Sequence, residues 1–381
     1  MFKFQDSDAD FKALTTLDAS LIQLVDTGEN KLTGKPRAPR IALVTGANGF
    51  VGSHLTAHLA GSDRWDKVFA LVRDETNFAA SHKLKDSWTK WKVNAPSNTR
   101  HKVETYTWDP MSPRLGMSEQ QFSTLAWHSD VVFHLAGATA YDKNYKHMRA
   151  GTSLLMLQLL DFCRTGQPKQ LHHIGSIADR IMSSVKHKER NIPWTSGYFQ
   201  AKWVVDKMLT VAREQLDIPT TNYRAPYITG PTTHAMDPQR HYSFWQMAIA
   251  LASAGLIWDG YFLQAVPVDL LCQCLAMNAQ RSTPLPVVTP TMLPLHTSRI
   301  MGTLGCDLID HEEFFDHVAP HMPAATGLPG ARYRDVEVAS TGQGDLDRFI
   351  AIDKIPDAAE MFKRGFRQQK IQKAVQRAQG T

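Results

Sequence analysis

The sequence predicts an α/β protein built on a doubly wound parallel sheet, followed by a smaller C-terminal subdomain that shapes a substrate pocket. Three observations carry this. Short apolar runs alternate with helix-patterned segments from Ile41 to Arg224, as expected for repeated βα units with buried strands. A glycine-rich turn, Thr45–Gly52, joins the first apolar run to the first helix. Beyond Gly230 the alternation gives way to Pro-rich loops and irregular helices.

Residues 1–38 form a preface, in which the weakly helical DFKALTTLDASLIQLV leads into a Gly/Lys/Pro-rich linker. The organised pattern starts at Ile41–Val44, a first strand, and the helix-like SHLTAHLA follows the glycine turn. Val68–Val72 is the second strand, so strand, turn, helix and strand make one βαβ unit. Val103–Tyr106 supplies a third strand and Val131–Leu135 a buried fourth. Leu154–Phe162 is a helix, Leu171–Ile174 a fifth strand, Tyr198–Glu214 a long helix and Thr221–Arg224 a sixth strand. The expected division is thus a preface over 1–38, a nucleotide-binding domain over 39–230 and a substrate subdomain over 231–381. The apolar AVPVDLL near 265–271 is expected to return to the main sheet as a strand.

Composition narrows the function classes. With 43% hydrophobic and 21% charged residues, the chain matches a soluble globular protein and excludes disordered, collagenous and coiled-coil classes. No run approaches the roughly 18 apolar residues of a membrane span. The N-terminal MFKFQDSDADF lacks the basic-then-apolar plan of a signal peptide. Cys163, Cys272, Cys274 and Cys306 form neither a disulfide framework nor a paired CxxC knuckle. The chain reads as cytosolic. The formal charge of +5 is too small to argue for a nucleic-acid partner, and residues 354–381, with seven Lys/Arg and two acids, account for the whole excess.

Three motifs carry chemistry. In T-G-A-N-G-F-V-G, Gly46 permits a tight turn and Gly49 a close backbone approach to a pyrophosphate, while Gly52 lets the helix pack on the strand. At the end of the second strand stands Arg73, where an NAD site carries a carboxylate for the ribose 2′-hydroxyl. An arginine there suits the 2′-phosphate of NADP; the other reading is a solvated surface arginine beside Asp74. Tyr198-x-x-x-Lys202 places a phenol and an ammonium on one helix face. The charge of Lys202 would lower the Tyr198 pKa towards working pH, so that the phenol could protonate an oxygen that has just received a hydride. Ser176, just after the fifth strand and 22 residues earlier, could hold the same oxygen.

Together these give the Ser/Tyr/Lys set of short-chain dehydrogenases on a glycine-rich Rossmann fold, and the TGxxGxxG form resembles the extended branch. The run Thr107–Ala138 is similar to the thioester reductases' signature of an aspartate, a P-x-L-G-L-S-like loop and a strand ending in H-x-A. GYFQAKWVVDKM resembles their G-Y-x-Q-S-K-W-x-x-E helix, YRAPYITG their Y-R-P-G-x-I-x-G segment, and AVPVDLL their V-P-V-D strand. The chain thus resembles the reductase domains ending carboxylic acid reductases and nonribosomal peptide synthetases, related to fatty acyl-CoA reductases. The resemblance implies that Gly46, Asn48, Gly49, Phe50, Val51 and Gly52 line the pyrophosphate, and that Arg73 and Lys83 hold the 2′-phosphate. It also implies that Asp109 lies by the adenine and that Leu135 and Ala136 flank the nicotinamide-side ribose. Ser176 stands where the family usually has threonine, Ala225-Pro226 where it has Pro-Gly, and Thr152 at its usual Asn.

Other features read as structural. His311-Glu312-Glu313-Phe314-Phe315-Asp316-His317 is not HExxH, so no metal is expected. Of His172 and His173, one must point inward; Cys272/Cys274 and Trp88/Trp91 read as packing. The basic C-terminal segment reads as a docked helix with a solvated face, the alternative being a docking face for an acidic carrier protein.

The resulting expectation is an NADPH-dependent reductase of an acyl thioester held on phosphopantetheine, from a carrier protein, a synthase module or coenzyme A, giving an aldehyde and, with a second hydride, the alcohol. Catalytic residues would be Ser176, Tyr198 and Lys202. The alternatives are an extended short-chain dehydrogenase acting on a ketone, sterol or nucleotide sugar, and an NADP-binding scaffold or redox sensor without turnover.

Overall fold

The computed structural model describes residues 31–32, 37–97, 99–140, 143–177, 197–234, 255–258, 262–263, 265–290, 295–296 and 307–309. The expected N-terminal helix, the His311–His317 segment and the basic C-terminal segment lie outside the described residues.

Seven strands form the central sheet: β1 (Ile41–Thr45), β2 (Lys67–Val72), β3 (Val103–Thr107), β4 (Val131–His134), β5 (Gln170–Ile174), β6 (Thr220–Tyr223) and β7 (Val287–Val288). Their spatial order is β7-β6-β5-β4-β1-β2-β3, and every adjacent pair is parallel. The long helices are α1 (Phe50–Ala60), α2 (Asn77–Lys90), α3 (Glu119–His128), α4 (Leu155–Cys163), α5 (Gly197–Gln215) and α6 (Val268–Ala279). Side chains on a strand alternate between faces, and both faces here are apolar. Leu43, Leu71, Val132 and Leu171 pack with α3, α4 and α5, whereas Val44, Ala70 and Phe133 pack with α1, α2 and α6. This is the doubly wound Rossmann-type sheet that the sequence predicts. Helix starts are set locally, with the Thr76 hydroxyl accepting from Ala79 N at 3.1 Å and the Ser118 hydroxyl from Gln121 N at 3.2 Å.

One expectation needs correction. Ala265–Pro267 does not join the main sheet; it pairs in parallel with Tyr227–Thr229 in a separate two-stranded sheet, and Val268 already starts α6. Pro267 has no N–H for a ladder and serves as the N-cap of that helix. The strand that returns to the sheet edge is β7. His172 and His173 are both buried, since helices cover both faces of β5. His172 lies on the α6 face, where its Nδ1 is 2.8 Å from the Tyr223 hydroxyl, which accepts from Asn278 Nδ2 at 3.0 Å. Cys272, Cys274 and Trp91 are buried, and Trp88 packs against the same core. Among the described residues no helix is long and apolar enough to cross a membrane.

Candidate active site

The glycine-rich turn leaves the carboxyl end of β1, and α1 begins at Phe50 with Gly49 as N-cap. Gly46 has φ +67°, and a Cβ there would lie 2.8 Å from Ala136 N. A Cβ on Gly52 would lie 2.1 Å from Gly46 O, so only glycine lets the helix seat this close to the turn. The first turn of α1 has no acidic residue, and its amides form the positive end of the helix dipole. β1 lies between β2 and β4, the point at which the strand order reverses. A helix N-terminus, close-packed glycines and a switch point fit a dinucleotide pyrophosphate. Asn48, Phe50 and Val51 are half-buried along this turn, as are Leu135 and Ala136 at the end of β4.

A polar link joins the two strand ends. The Thr45 hydroxyl accepts from Ala136 N at 3.3 Å and lies 2.8 Å from His134 Nδ1. Burial, with the Lys202 charge adding to it, pushes the His134 pKa down to about 3. His134 is therefore neutral, and it stacks on His173 with ring centroids 5.0 Å apart.

Arg73 follows β2 and is exposed, and Asp109 follows β3 and is also exposed. Lys83 on α2 donates to the Arg73 carbonyl at 2.7 Å and pairs with Asp74 at 3.3 Å, so it is already engaged beside Arg73. Asp109 accepts from Met111 N at 3.0 Å and from the Ser112 hydroxyl at 2.5 Å. Those two bonds hold its pKa down, with Arg73's positive charge contributing less. The Asp109 carboxylate thus braces its own loop.

Ser176 lies two residues beyond β5, and Tyr198 and Lys202 lie in the first turns of α5. The Lys202 ammonium donates to the Ile174 carbonyl at 2.8 Å and stands 5.8 Å from the centroid of the Tyr198 ring. Tyr198 is buried, and Ser176 and Lys202 are half-buried. Ser176 and the Lys202 ammonium thus both lie at the carboxyl end of β5, two strands along from the β1 end that carries the glycine turn. His134, Thr45 and His173 are not singled out as site residues by the sequence. The H-x-A spacing marks His134, but its bond to Thr45 depends on the β1–β4 register, in which those two residues face each other.

A doubly wound parallel sheet with a glycine turn at its switch point defines the Rossmann-type class of dinucleotide-binding folds. The family model described as Male sterility protein, an NAD-binding domain, matches residues 44–275, and the chain belongs to that family. An isonitrile lipopeptide synthase of Streptomyces coeruleorubidus is 27% identical over 304 residues, covering 77% of this chain and 20% of that protein. Aldehyde reductase lnbA of Aspergillus flavus is 27% identical over 243 residues, covering 59% of this chain and 24% of that protein. The chain thus spans a quarter or less of these relatives. The fold is similar to the terminal R domain from the myxalamid PKS-NRPS biosynthetic pathway, with TM-score 0.72, 17% identity, and coverage of 94% of this chain and 97% of the other. It is also similar to a thiolation-reductase di-domain from an archaeal nonribosomal peptide synthetase, with TM-score 0.68, 14% identity and coverage of 97% and 81%.

Proposed function

We propose that the protein is an NADPH-dependent reductase of acyl thioesters carried on phosphopantetheine, releasing an aldehyde. The observation that carries this reading is the Lys202 ammonium, fixed on the Ile174 carbonyl at the carboxyl end of β5 and held over the Tyr198 ring. The relatives support the substrate class, because those aligned include a lipopeptide synthase and an aldehyde reductase.

The amides of α1 with Gly46, Asn48, Gly49, Phe50, Val51 and Gly52 would hold the pyrophosphate, and Arg73 with Lys83 the 2′-phosphate. Asp109 would border the adenine, and Leu135 and Ala136 the ribose at the nicotinamide end. When bound, the nicotinamide supplies a hydride to the thioester carbonyl carbon. Ser176 and Tyr198 then hydrogen-bond the oxygen on which negative charge develops, where preorganised donors stabilise most. Lys202 adds positive charge beside the phenol. The His134 imidazole is kept neutral by burial, and so does not compete as a cation. As the carbonyl re-forms, the C–S bond breaks, and the departing thiolate takes a proton to leave as thiol. One hydride and one proton thus convert the thioester to aldehyde and thiol, and a second pair would give the alcohol. The domain division carried with this reading is a nucleotide domain over 39–230 and a substrate subdomain over 231–381.

The test is product identification by mass spectrometry after incubation with NADPH and either an acyl-thioester panel or a ketone panel. Aldehyde and free thiol support the reading. Reduction of ketones alone replaces it with an extended short-chain dehydrogenase acting on a ketone.

A further inference from the structure

We propose that Asp206 and Asn222 form a latch that sets the position of Ser176 against helix α5, which makes them positioning residues for the reduction. The inference rests on the reading above, in which Ser176, Tyr198 and Lys202 meet the substrate.

Asp206 lies four residues after Lys202 on α5, hence on the same helix face, and is 5% exposed. A carboxylate so deeply buried must be paired. One oxygen accepts from Asn222 Nδ2 at 2.6 Å, and the other accepts from Arg224 Nη2 at 3.1 Å. Asn222 lies on β6, opposite His173 of β5. Its carboxamide fills the space beside Gly175, where a Cβ would lie 2.1 Å from Asn222 Oδ1. Gly175 immediately precedes Ser176. The segment continues the β5–β6 ladder, with Gly175 N donating to Tyr223 O at 2.9 Å and Ile177 N to Ala225 O at 3.1 Å.

Helix α5 therefore grips residues 174–177 at two points. Lys202 holds the Ile174 carbonyl directly, and Asp206 holds Asn222 against Gly175. Removing the carboxylate frees the amide and takes away the second of these grips. Displacement of a catalytic group by about 1 Å costs on the order of a hundredfold in rate.

The test uses the full chain with Asp206→Ala, Asn222→Ala, Gly175→Ala and the Gly175→Ala/Asn222→Ala double variant. Steady-state kinetics is paired with hydrogen–deuterium exchange of the peptide spanning 171–177. The first two substitutions are expected to lower kcat about ten- to hundredfold while KM and cofactor Kd change by less than about threefold, because only the reacting geometry is disturbed. Exchange should quicken in 171–177 and stay unchanged in the β4 peptide. Gly175→Ala should displace the amide and mimic Asn222→Ala, and the double variant should be no worse than Gly175→Ala alone. Unaltered kcat and exchange in both Asp206→Ala and Asn222→Ala overturn the latch, as does a kcat loss accompanied by faster exchange throughout the sheet. If Asp206→Ala does not fold, Asn222→Ala, which leaves the Asp206–Arg224 pair in place, decides the matter. If the wild type reduces no thioester, the proposed function fails, and the exchange arm still decides the latch.

Discussion

The Lys202 ammonium donates to the Ile174 carbonyl at 2.8 Å, joining helix α5 to the strand that leads into Ser176. One side chain thereby stands over the Tyr198 ring and fixes the end of β5. A charge role and a positioning role coincide in it, which separates the expected effects of substitutions in this region.

Tyr198→Phe removes one hydroxyl and keeps the ring packed, so turnover should be lost while cofactor binding persists. Ser176→Ala should lower kcat by about a hundredfold or more, the usual loss of one oxyanion donor. Lys202→Ala should harm both turnover and cofactor binding. Single-turnover rates and fluorescence titration of the cofactor would read these apart. A Tyr198→Phe variant that keeps most of its activity would place the proton donor elsewhere.

The glycine turn and the Tyr/Lys helix are legible in the sequence because both are local patterns, a fixed spacing after an apolar strand and a four-residue repeat on one face. The strands are legible as apolar runs for the same reason. What joins them is not. The Thr45–His134 bond spans 89 residues and the Asp206–Asn222 bond 16, and each depends on strand order and register. Ala265–Pro267 misleads because its apolar residues match a central strand, whereas Pro267 ends the ladder and caps α6. Lys83 illustrates a further limit, since only the structure reveals its pairing with Asp74.

NADPH should bind more tightly than NADH, because Arg73 stands exposed at the end of β2 where an NAD site carries a carboxylate. Loss of a charge-assisted bond to phosphate costs about 1.5–3 kcal/mol, roughly ten- to a hundredfold in affinity. Arg73→Ala should abolish most of the preference. Lys83→Ala should have the smaller effect, because Asp74 already neutralises part of that ammonium. Equal affinities of the wild type for the two cofactors, measured by titration, would remove this assignment.

Acid should destabilise the fold through its buried histidines. Burial pushes both His134 and His172 from 6.5 down to about 3, so the folded chain keeps them neutral. Between those values the unfolded chain binds protons that the folded chain does not. Stability is therefore fully present above pH 6.5 and falls as pH drops towards 3. Each such histidine contributes a slope of about 1.4 kcal/mol per pH unit within the window. The Tm measured against pH should be flat near neutrality and decline below 6.5. His172→Gln, which offers no titrating group, should have a shallower decline, and an identical decline would assign the acid sensitivity to other groups.

The last prediction concerns the protein that delivers the acyl group. A thioester on a phosphopantetheine arm brings its carrier to the reductase surface, and carrier proteins present acidic helices. Residues 354–381, outside the described residues, hold seven Lys/Arg against two acids, which equals the chain's whole formal excess of +5. Attraction between a basic segment and an acidic partner raises the encounter rate and makes it salt-sensitive. Carrier-bound acyl substrate should therefore outperform the free pantetheine thioester, and added salt should narrow the gap. Reversing Arg364, Arg367 and Lys370 to glutamate should raise KM for the carrier-bound form and leave the pantetheine form unchanged. Acyl-CoA turned over as well as the carrier-bound form, with no effect of the reversals, would instead assign these charges to a solvated face and the activity to a free-standing acyl-CoA reductase.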